Sequence, residues 1–108
     1  MTVYVDDPMD IGGKFHNYCH MWSDTDLSTC STSVLAVVRF ARQVFPSKSI
    51  KELLAWLQYS HGLSGDFWHY DVAPSYRPVA LKLGAQYMPL KDWVRRRMIE
   101  RDAVNLGL

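Results

Sequence analysis

The chain has 108 residues, of which 48% are apolar and 21% are charged, and its formal net charge is +1. This length suits one domain, residues 1–108, with a single modest core, and the composition excludes the class of disordered proteins with low hydrophobicity and high charge. The small net charge excludes an overall electrostatic attraction to nucleic acid or to an anionic membrane, so any basic surface must be local.

Two short strands are predicted near the start of the chain. Residues 2–5 (TVYV) are β-branched and aromatic, as strands prefer, and this run stops at Asp6. Residues 18–22 (YCHMW) predict a second strand, which ends at Ser23. The connection between them contains the glycine pair at residues 12–13, which indicates a flexible loop.

Two helices are predicted next. Apolar residues recur at helical spacing over residues 34–45, and we expect this helix to end at Pro46. Ser49 and Glu52 have the spacing of a capping box, in which each side chain satisfies a backbone donor of the other residue. The second helix therefore begins after Ser49, and Gly62 is its expected terminator.

A strand, a helix and another strand are predicted after residue 66. Residues 67–72 (FWHYDV) predict a strand that is broken by Ala73-Pro74. Ser75 is the expected cap of a helix that ends at Gly84, and Pro78 fits its first turn because a missing backbone donor is harmless there. Residues 85–88 (AQYM) predict a fourth strand.

The last predicted element is a helix that starts at Pro89 or at Lys91 and runs through Arg101, with residues 103–108 frayed. It carries the one basic cluster of the sequence, Arg95, Arg96, Arg97 and Arg101. A solvated helix face is the ordinary interpretation of such a cluster, and a nucleic-acid contact is the alternative.

The alternation of strands and helices predicts an α/β fold. We expect a small sandwich of two or three layers, with a mainly parallel four-stranded sheet and about four helices. The alternative is an α+β fold with a mixed sheet, because the loop between the first two strands is too short to hold a long helix.

Three of the predicted strands carry a carboxylate at or close to their carboxyl end, at Asp6, Asp24 and Asp71. The carboxyl ends of parallel strands meet at one edge of a sheet, and ligand crevices form just outside that edge. We therefore expect these three carboxylates to converge and to bind a divalent metal ion, with Mg²⁺, Mn²⁺ and Zn²⁺ as the candidates. The alternative is that each Asp caps the turn or helix that follows it.

His20 and His69 lie inside the second and third predicted strands, close to these carboxylates. With Asp71 they form the candidate catalytic group, because a histidine beside a carboxylate can move a proton at neutral pH. The alternative is that both are hydrogen-bonded core histidines. Cys19 precedes His20, and a lone Cys in a strand is usually a small buried hydrophobe.

Ser75, Arg77 and Tyr70 are the candidate ligand-binding residues. The backbone donors of a helix start attract an anion, and a guanidinium can bind phosphate oxygens in pairs. Tyr70 or Trp68 can stack on a nucleobase if its ring is exposed. The alternative for Arg77 is an ion pair with Asp71.

The two cysteines, Cys19 and Cys30, fall short of a zinc site unless histidines complete it. The first residues show neither the basic region nor the apolar core of a secretory leader, and no stretch approaches the length of a membrane span. We therefore expect a cytoplasmic protein with reduced thiols and no membrane partner.

Three segments, MTVYVDD at residues 1–7, HMWSD at residues 20–24 and HYDVAPSYRPVALKLGA at residues 69–85, resemble the small bacterial and phage proteins grouped as the domain of unknown function four-zero-three-one. Residues 26–66 are longer and differently patterned than the corresponding part of that family, and Tyr76 stands where the family tends to have a basic residue. The family has no assigned activity, so the resemblance implies a shared polar site without naming its chemistry. By position it picks out Asp6, His20, Asp24, His69, Tyr70, Asp71, Arg77, Gly84 and Ala85.

Three functions are compatible with these patterns. The first is an enzyme site for a phosphate-bearing ligand, a nucleotide or a nucleic-acid end, assisted by a metal ion. The second is a module that sequesters a nucleotide without turnover. The third is a phage-encoded interaction protein that modulates a host enzyme, in which the His and Asp residues are only structural.

Overall fold

The structure is a computed structural model that describes residues 2–9, 17–24, 31–62 and 65–107. The predicted glycine loop at residues 12–13 and Cys30 lie outside the described residues. The described elements, in chain order, are β1 (Val3–Val5), β2 (Cys19–Ser23), α1 (Ser31–Val44), α2 (Ile50–Trp56), β3 (Gln58–Gly62), β4 (Gly65–Val72), α3 (Arg77–Lys82), β5 (Gln86–Tyr87) and α4 (Leu90–Asn105).

The described part of the chain forms an α/β fold, with four helices and an open five-stranded sheet in the order β3-β4-β2-β1-β5. β1 pairs in parallel with β5, whereas the pairs β1 with β2, β2 with β4 and β3 with β4 are antiparallel. The prediction of a mainly parallel four-stranded sheet is therefore wrong, and the sheet is mixed, as the alternative had it. Short connections, such as residues 63–64 between β3 and β4, favour antiparallel neighbours because a parallel pair needs a long crossover.

The strand β3 is absent from the sequence prediction. We expected α2 to continue to Gly62, but α2 ends at Trp56 and Leu57 has extended backbone angles. Residues 58–62 then pair along β4, from Gln58 opposite His69 to Gly62 opposite Gly65. The helical spacing of the apolar residues gives only a weak local preference for helix. The backbone hydrogen bonds that residues 58–62 make to β4 stabilise a strand more strongly.

The sheet is covered by helices on both faces. Because side chains alternate along a strand, Val3 and Val5 pack with α1 and α2 in the larger core, while Tyr4 points to the other face. There Tyr4 packs with Trp22 of β2 and Trp93 of α4 in a smaller aromatic core. The described elements therefore place helices against both faces of the sheet.

The predicted caps at Ser49 and Gly84 are confirmed, whereas the predicted cap at Ser75 is not. Ser49 and Glu52 form the expected capping box, with the Glu52 N–H donating to Ser49 Oγ at 3.1 Å and the Ser49 N–H donating to Glu52 Oε1 at 3.3 Å. Gly84, with φ of 112°, follows α3 as expected. The predicted cap at Ser75 is wrong, because the N-cap of α3 is Tyr76 and its side chain makes no capping hydrogen bond.

The basic cluster lies on α4, which continues to Asn105 and so passes the predicted end at Arg101. Arg96 and Arg97 form ion pairs with Glu100 at 3.2 and 3.4 Å, and both guanidinium groups lie over the ring of Trp93. Among the described residues, no helix combines the length and the apolar character needed to cross a membrane.

Candidate metal centre

The strand directions bring part of the predicted site to one edge of the sheet. Since β2 runs antiparallel to both β1 and β4, the ends of β1 and β4 lie beside the start of β2. His20 is paired with Asp71 in the register of β2 and β4, and the Asp6 N–H donates to the His20 carbonyl at 3.3 Å. His69 precedes Asp71 by two residues and therefore shares its face of β4.

Asp24 lies at the opposite edge of the sheet. Ser23 is paired with Val3, so the end of β2 lies beside the start of β1. The Thr2 N–H donates to Asp24 Oδ1 at 2.9 Å, and the Asp24 N–H donates to the Thr2 carbonyl at 3.0 Å. The predicted convergence of three carboxylates is therefore wrong for Asp24, because an antiparallel β2 ends where β1 begins.

Asp6 holds His20 through both of its carboxylate oxygens. The backbone N–H of His20 donates to Asp6 Oδ1 at 2.6 Å, and His20 Nδ1 lies 2.6 Å from Asp6 Oδ2. The Asp6 side chain is 1% exposed, so this contact is shielded from solvent. A carboxylate can only accept, so Nδ1 carries the hydrogen, and in the neutral form of His20 it is Nε2 that offers a lone pair to a ligand.

His69 and Asp71 complete a group of three potential metal ligands with His20. His69 Nε2 lies 3.5 Å from Asp71 Oδ1, and the two imidazole rings have their centroids 5.1 Å apart. One ligand atom from each residue lies within 4.8 Å of the other two. Ligand atoms on a tetrahedral zinc ion lie about 3.4 Å apart, so the three side chains would have to move closer together to bind one ion.

The surroundings of His69 keep its imidazole neutral. Burial lowers the pKa of His69, and the neighbouring His20 lowers it further, against the opposing effect of Asp71. The ring of Phe67 stacks on His69 with centroids 4.7 Å apart and 19° between the planes. A neutral imidazole held by its neighbours is the form that binds a metal ion.

Arg77 lies next to this group through Asp6. Its Nε donates to the Asp6 carbonyl at 3.0 Å, and the guanidinium lies 5.9 Å from the ring centroid of Tyr87. The carboxylate of Asp71 instead faces His69. α3 begins at Arg77 without a side-chain cap, and Ser75 is exposed in the turn before it, so the helix start capped by Ser75 on which the predicted anion site rested is not formed.

Two residues next to the group of His20, His69 and Asp71 belong to the larger core. Tyr70 is 1% exposed and its hydroxyl donates to the Leu53 carbonyl at 2.8 Å, and burial raises the pKa of this hydroxyl. Cys19 is fully buried, and burial, followed by the effect of Asp6, raises the pKa of its thiol to about 11. The ring of Tyr70 is therefore not a free stacking surface, and Cys19 remains a protonated thiol at neutral pH.

A groove lined by aromatic side chains, here called the aromatic groove, has Asp71 among its lining residues. Its volume is about 480 Å³, and no pattern in the sequence predicts it. Its residues come from several separate segments of the chain, so no local pattern could reveal it. They are Tyr18, Phe45, Ser47, Lys48, Trp56, Gln58, Tyr70, Asp71, Ala73 and Tyr76.

Comparison with known proteins yields no match: no family model fits the chain, and no curated protein or solved structure is significantly similar to it. The resemblance to the domain of unknown function four-zero-three-one therefore stays a prediction. Any function for this site has to be argued from its geometry.

Proposed function

We propose that His20, His69 and Asp71 bind one divalent transition-metal ion, and that this centre cleaves or transfers a phosphoester of a nucleotide or nucleic-acid end. Two imidazoles and one carboxylate are a donor set that suits Zn²⁺, Mn²⁺ and Fe²⁺, with Zn²⁺ as the first candidate. Three protein ligands leave coordination positions for a water molecule and a substrate oxygen.

The contact between Asp6 and His20 is the single observation that carries this proposal. Metal-binding histidines commonly donate their second ring nitrogen to a carboxylate, which fixes the tautomer and makes the free nitrogen more basic. Asp6 does this from a buried position, with both oxygens on His20. Burying a carboxylate costs free energy unless the carboxylate is well hydrogen-bonded. The buried contact of Asp6 with His20 therefore supports a role for Asp6 in positioning His20.

The proposed chemistry divides the work between the metal ion and the protein. A bound divalent ion polarises a phosphoryl oxygen and lowers the pKa of a bound water molecule. Asp6 orients His20, and the phenyl ring of Phe67 fixes the plane of His69. The Nε of Arg77 donates to the Asp6 carbonyl. The two terminal nitrogens of the same guanidinium are the donors that suit a phosphate.

Metal titration of protein freed of metal by a chelator tests the metal site. Zn²⁺, Mn²⁺, Fe²⁺ and Mg²⁺ are added separately, and the melting temperature is measured for the wild type, His69→Ala and Asp71→Asn. We expect at least one transition-metal ion to raise the melting temperature of the wild type and to leave both variants unchanged.

Asp24→Asn is the matched control, because it removes a carboxylate at the opposite edge of the sheet. It should keep the metal-dependent rise. A wild type that responds to none of the ions, or a rise that survives in both His69→Ala and Asp71→Asn, contradicts the metal site.

Turnover is tested separately, with bis(p-nitrophenyl) phosphate and with nucleotides as substrates for the metal-loaded protein. Release of nitrophenol that is lost in Asp71→Asn supports the enzyme. Metal binding with every nucleotide recovered intact favours the sequestering module instead.

A further inference from the structure

We infer that the aromatic groove is the nucleobase site of this protein. This inference rests on the proposed function, whose substrate class it names. Asp71 borders both sites, because it is among the residues that line the groove while its carboxylate lies 3.5 Å from His69 in the proposed metal centre.

The groove exists because the carboxyl end of β4 extends beyond its neighbour β3. β3 begins at Gln58, which is opposite His69, so residues 70–72 of β4 extend past the start of β3. On their other side these residues pair with β2. The chain that precedes β3 is α2, and its last residue, Trp56, lines the resulting gap.

Two exposed aromatic side chains flank this gap. Trp56 and Tyr76 are 42% and 40% exposed, although both pack against the buried ring of Phe45. Their ring centroids lie 5.7 and 4.7 Å from that of Phe45. Exposed aromatic rings held from behind by a core residue are the arrangement on which nucleobases stack.

Although Lys48 and Asp71 both line the groove, the position of Lys48 disfavours an organic cation as its occupant. Lys48 Nζ lies 4.8 Å from the ring centroid of Trp56, where it occupies the position that a quaternary ammonium group would take in an aromatic cage. Its ion pair with Glu52 at 3.7 Å is solvent-exposed and therefore weak. Lys48 is thus able to turn toward a phosphate-bearing ligand.

The volume of the groove agrees with a mononucleotide or with the last nucleotide of a single strand. About 480 Å³ lies inside the range of roughly 300 to 1,000 Å³ that is typical of small-molecule sites.

Binding to metal-free protein, measured by calorimetry, tests this inference without involving the metal centre. The probes are adenosine 5′-monophosphate, a single-stranded tetra-adenylate and, as the ligand without a base, ribose 5-phosphate. Trp56→Leu and Tyr76→Leu are compared with Tyr59→Leu, which removes an exposed tyrosine of β3 outside the groove. Thermal melts of all three variants establish that they are folded.

We expect saturable binding of adenosine 5′-monophosphate that is weakened about fivefold or more by Trp56→Leu and by Tyr76→Leu, because each removes a stacking surface. Tyr59→Leu should bind like the wild type, and ribose 5-phosphate should bind much more weakly. Tighter binding of the tetra-adenylate identifies a strand end as the source of the nucleotide, and equal binding identifies the free nucleotide.

Three results overturn the inference: no saturable binding of either adenylate, affinities that neither groove variant changes, or ribose 5-phosphate that binds as tightly as the adenylates. Because the calorimetry uses chelator-treated protein, such a result does not contradict the metal site. A failed metal titration, in turn, does not contradict the nucleobase site.

Discussion

Asp6 and His20 are joined twice, because the Asp6 carboxylate accepts from both the backbone N–H and the ring Nδ1 of His20 at 2.6 Å. The two residues come from neighbouring antiparallel strands and are separated by a connection of which the structure describes only the ends. Their contact fixes the tautomer of His20, and the ring centroid of His20 lies 5.1 Å from that of His69. The candidate metal centre depends on this pair.

Replacing Asp6 by Asn should lower Zn²⁺ affinity about 10-fold to 100-fold, which is the usual cost of losing the partner behind a metal-binding histidine. The amide has only one acceptor oxygen, so it cannot satisfy both donors of His20. Competition with a chromogenic zinc chelator measures the affinity. Asp7→Asn is the control, because Asp7 is exposed and bonds to Tyr87; equal affinities for the two variants would contradict a positioning role of Asp6.

Replacing Arg77 by Gln should lower kcat/KM for bis(p-nitrophenyl) phosphate by roughly 100-fold and leave Zn²⁺ affinity unchanged, because a donor to the reacting phosphate is lost while the metal ligands remain. Arg77→Lys keeps the charge and should recover part of the loss. Arg96→Gln, in which the arginine pairs with Glu100 on α4, should behave like the wild type. If Arg77→Gln also lowered Zn²⁺ affinity, Arg77 would have a structural role at the metal site and not a role in binding phosphate.

Replacing Tyr70 by Phe should cost about 1 to 3 kcal/mol of unfolding free energy, because the Leu53 carbonyl loses its hydrogen-bond donor. Burial raises the pKa of Tyr70 above its ordinary value of about 10. Above pH 10 the unfolded chain therefore releases this proton while the folded chain keeps it, so stability falls as pH rises.

Urea unfolding at pH 7.5 and at pH 10.5 measures both effects of Tyr70. The stability contributed by the raised pKa is fully present below pH 10 and decreases above it, so Tyr70→Phe should lose less stability than the wild type between these two pH values. Tyr59→Phe, at an exposed position, should follow the wild type. Identical pH profiles for Tyr70→Phe and the wild type would be inconsistent with a buried, protonated hydroxyl.

Replacing Ser49 by Ala should destabilise the protein by about 1 kcal/mol, because the capping box of α2 is lost. Ser75→Ala is the matched comparison, since Ser75 precedes α3 without capping it, and its effect should stay within about 0.5 kcal/mol. Thermal unfolding of both variants at neutral pH is sufficient. A larger loss for Ser75→Ala than for Ser49→Ala would mean that Ser75 makes a structural contact.

Several features of this protein could be predicted from the sequence because they depend on residues close together in the chain. The capping box needs only Ser49 and the residue three positions later, and Gly84 ends α3 through its own backbone angles. The patterns around β1, β2 and β4 marked Asp6, His20, His69 and Asp71 as candidates in the same way. Their mutual approach followed once β1 and β4 pointed in one direction.

The tertiary structure alone decided the directions of the strands, because hydrogen bonds between strands join residues that are distant in sequence. An antiparallel β2 removed Asp24 from the site and placed His20 between Asp6 and Asp71. Pairing with β4 likewise turned residues 58–62 from an expected helix into β3. The groove beside Asp71 has the same origin, since it lies where β3 begins short of the end of β4 and the side chains of Trp56 and Tyr76 meet around Phe45.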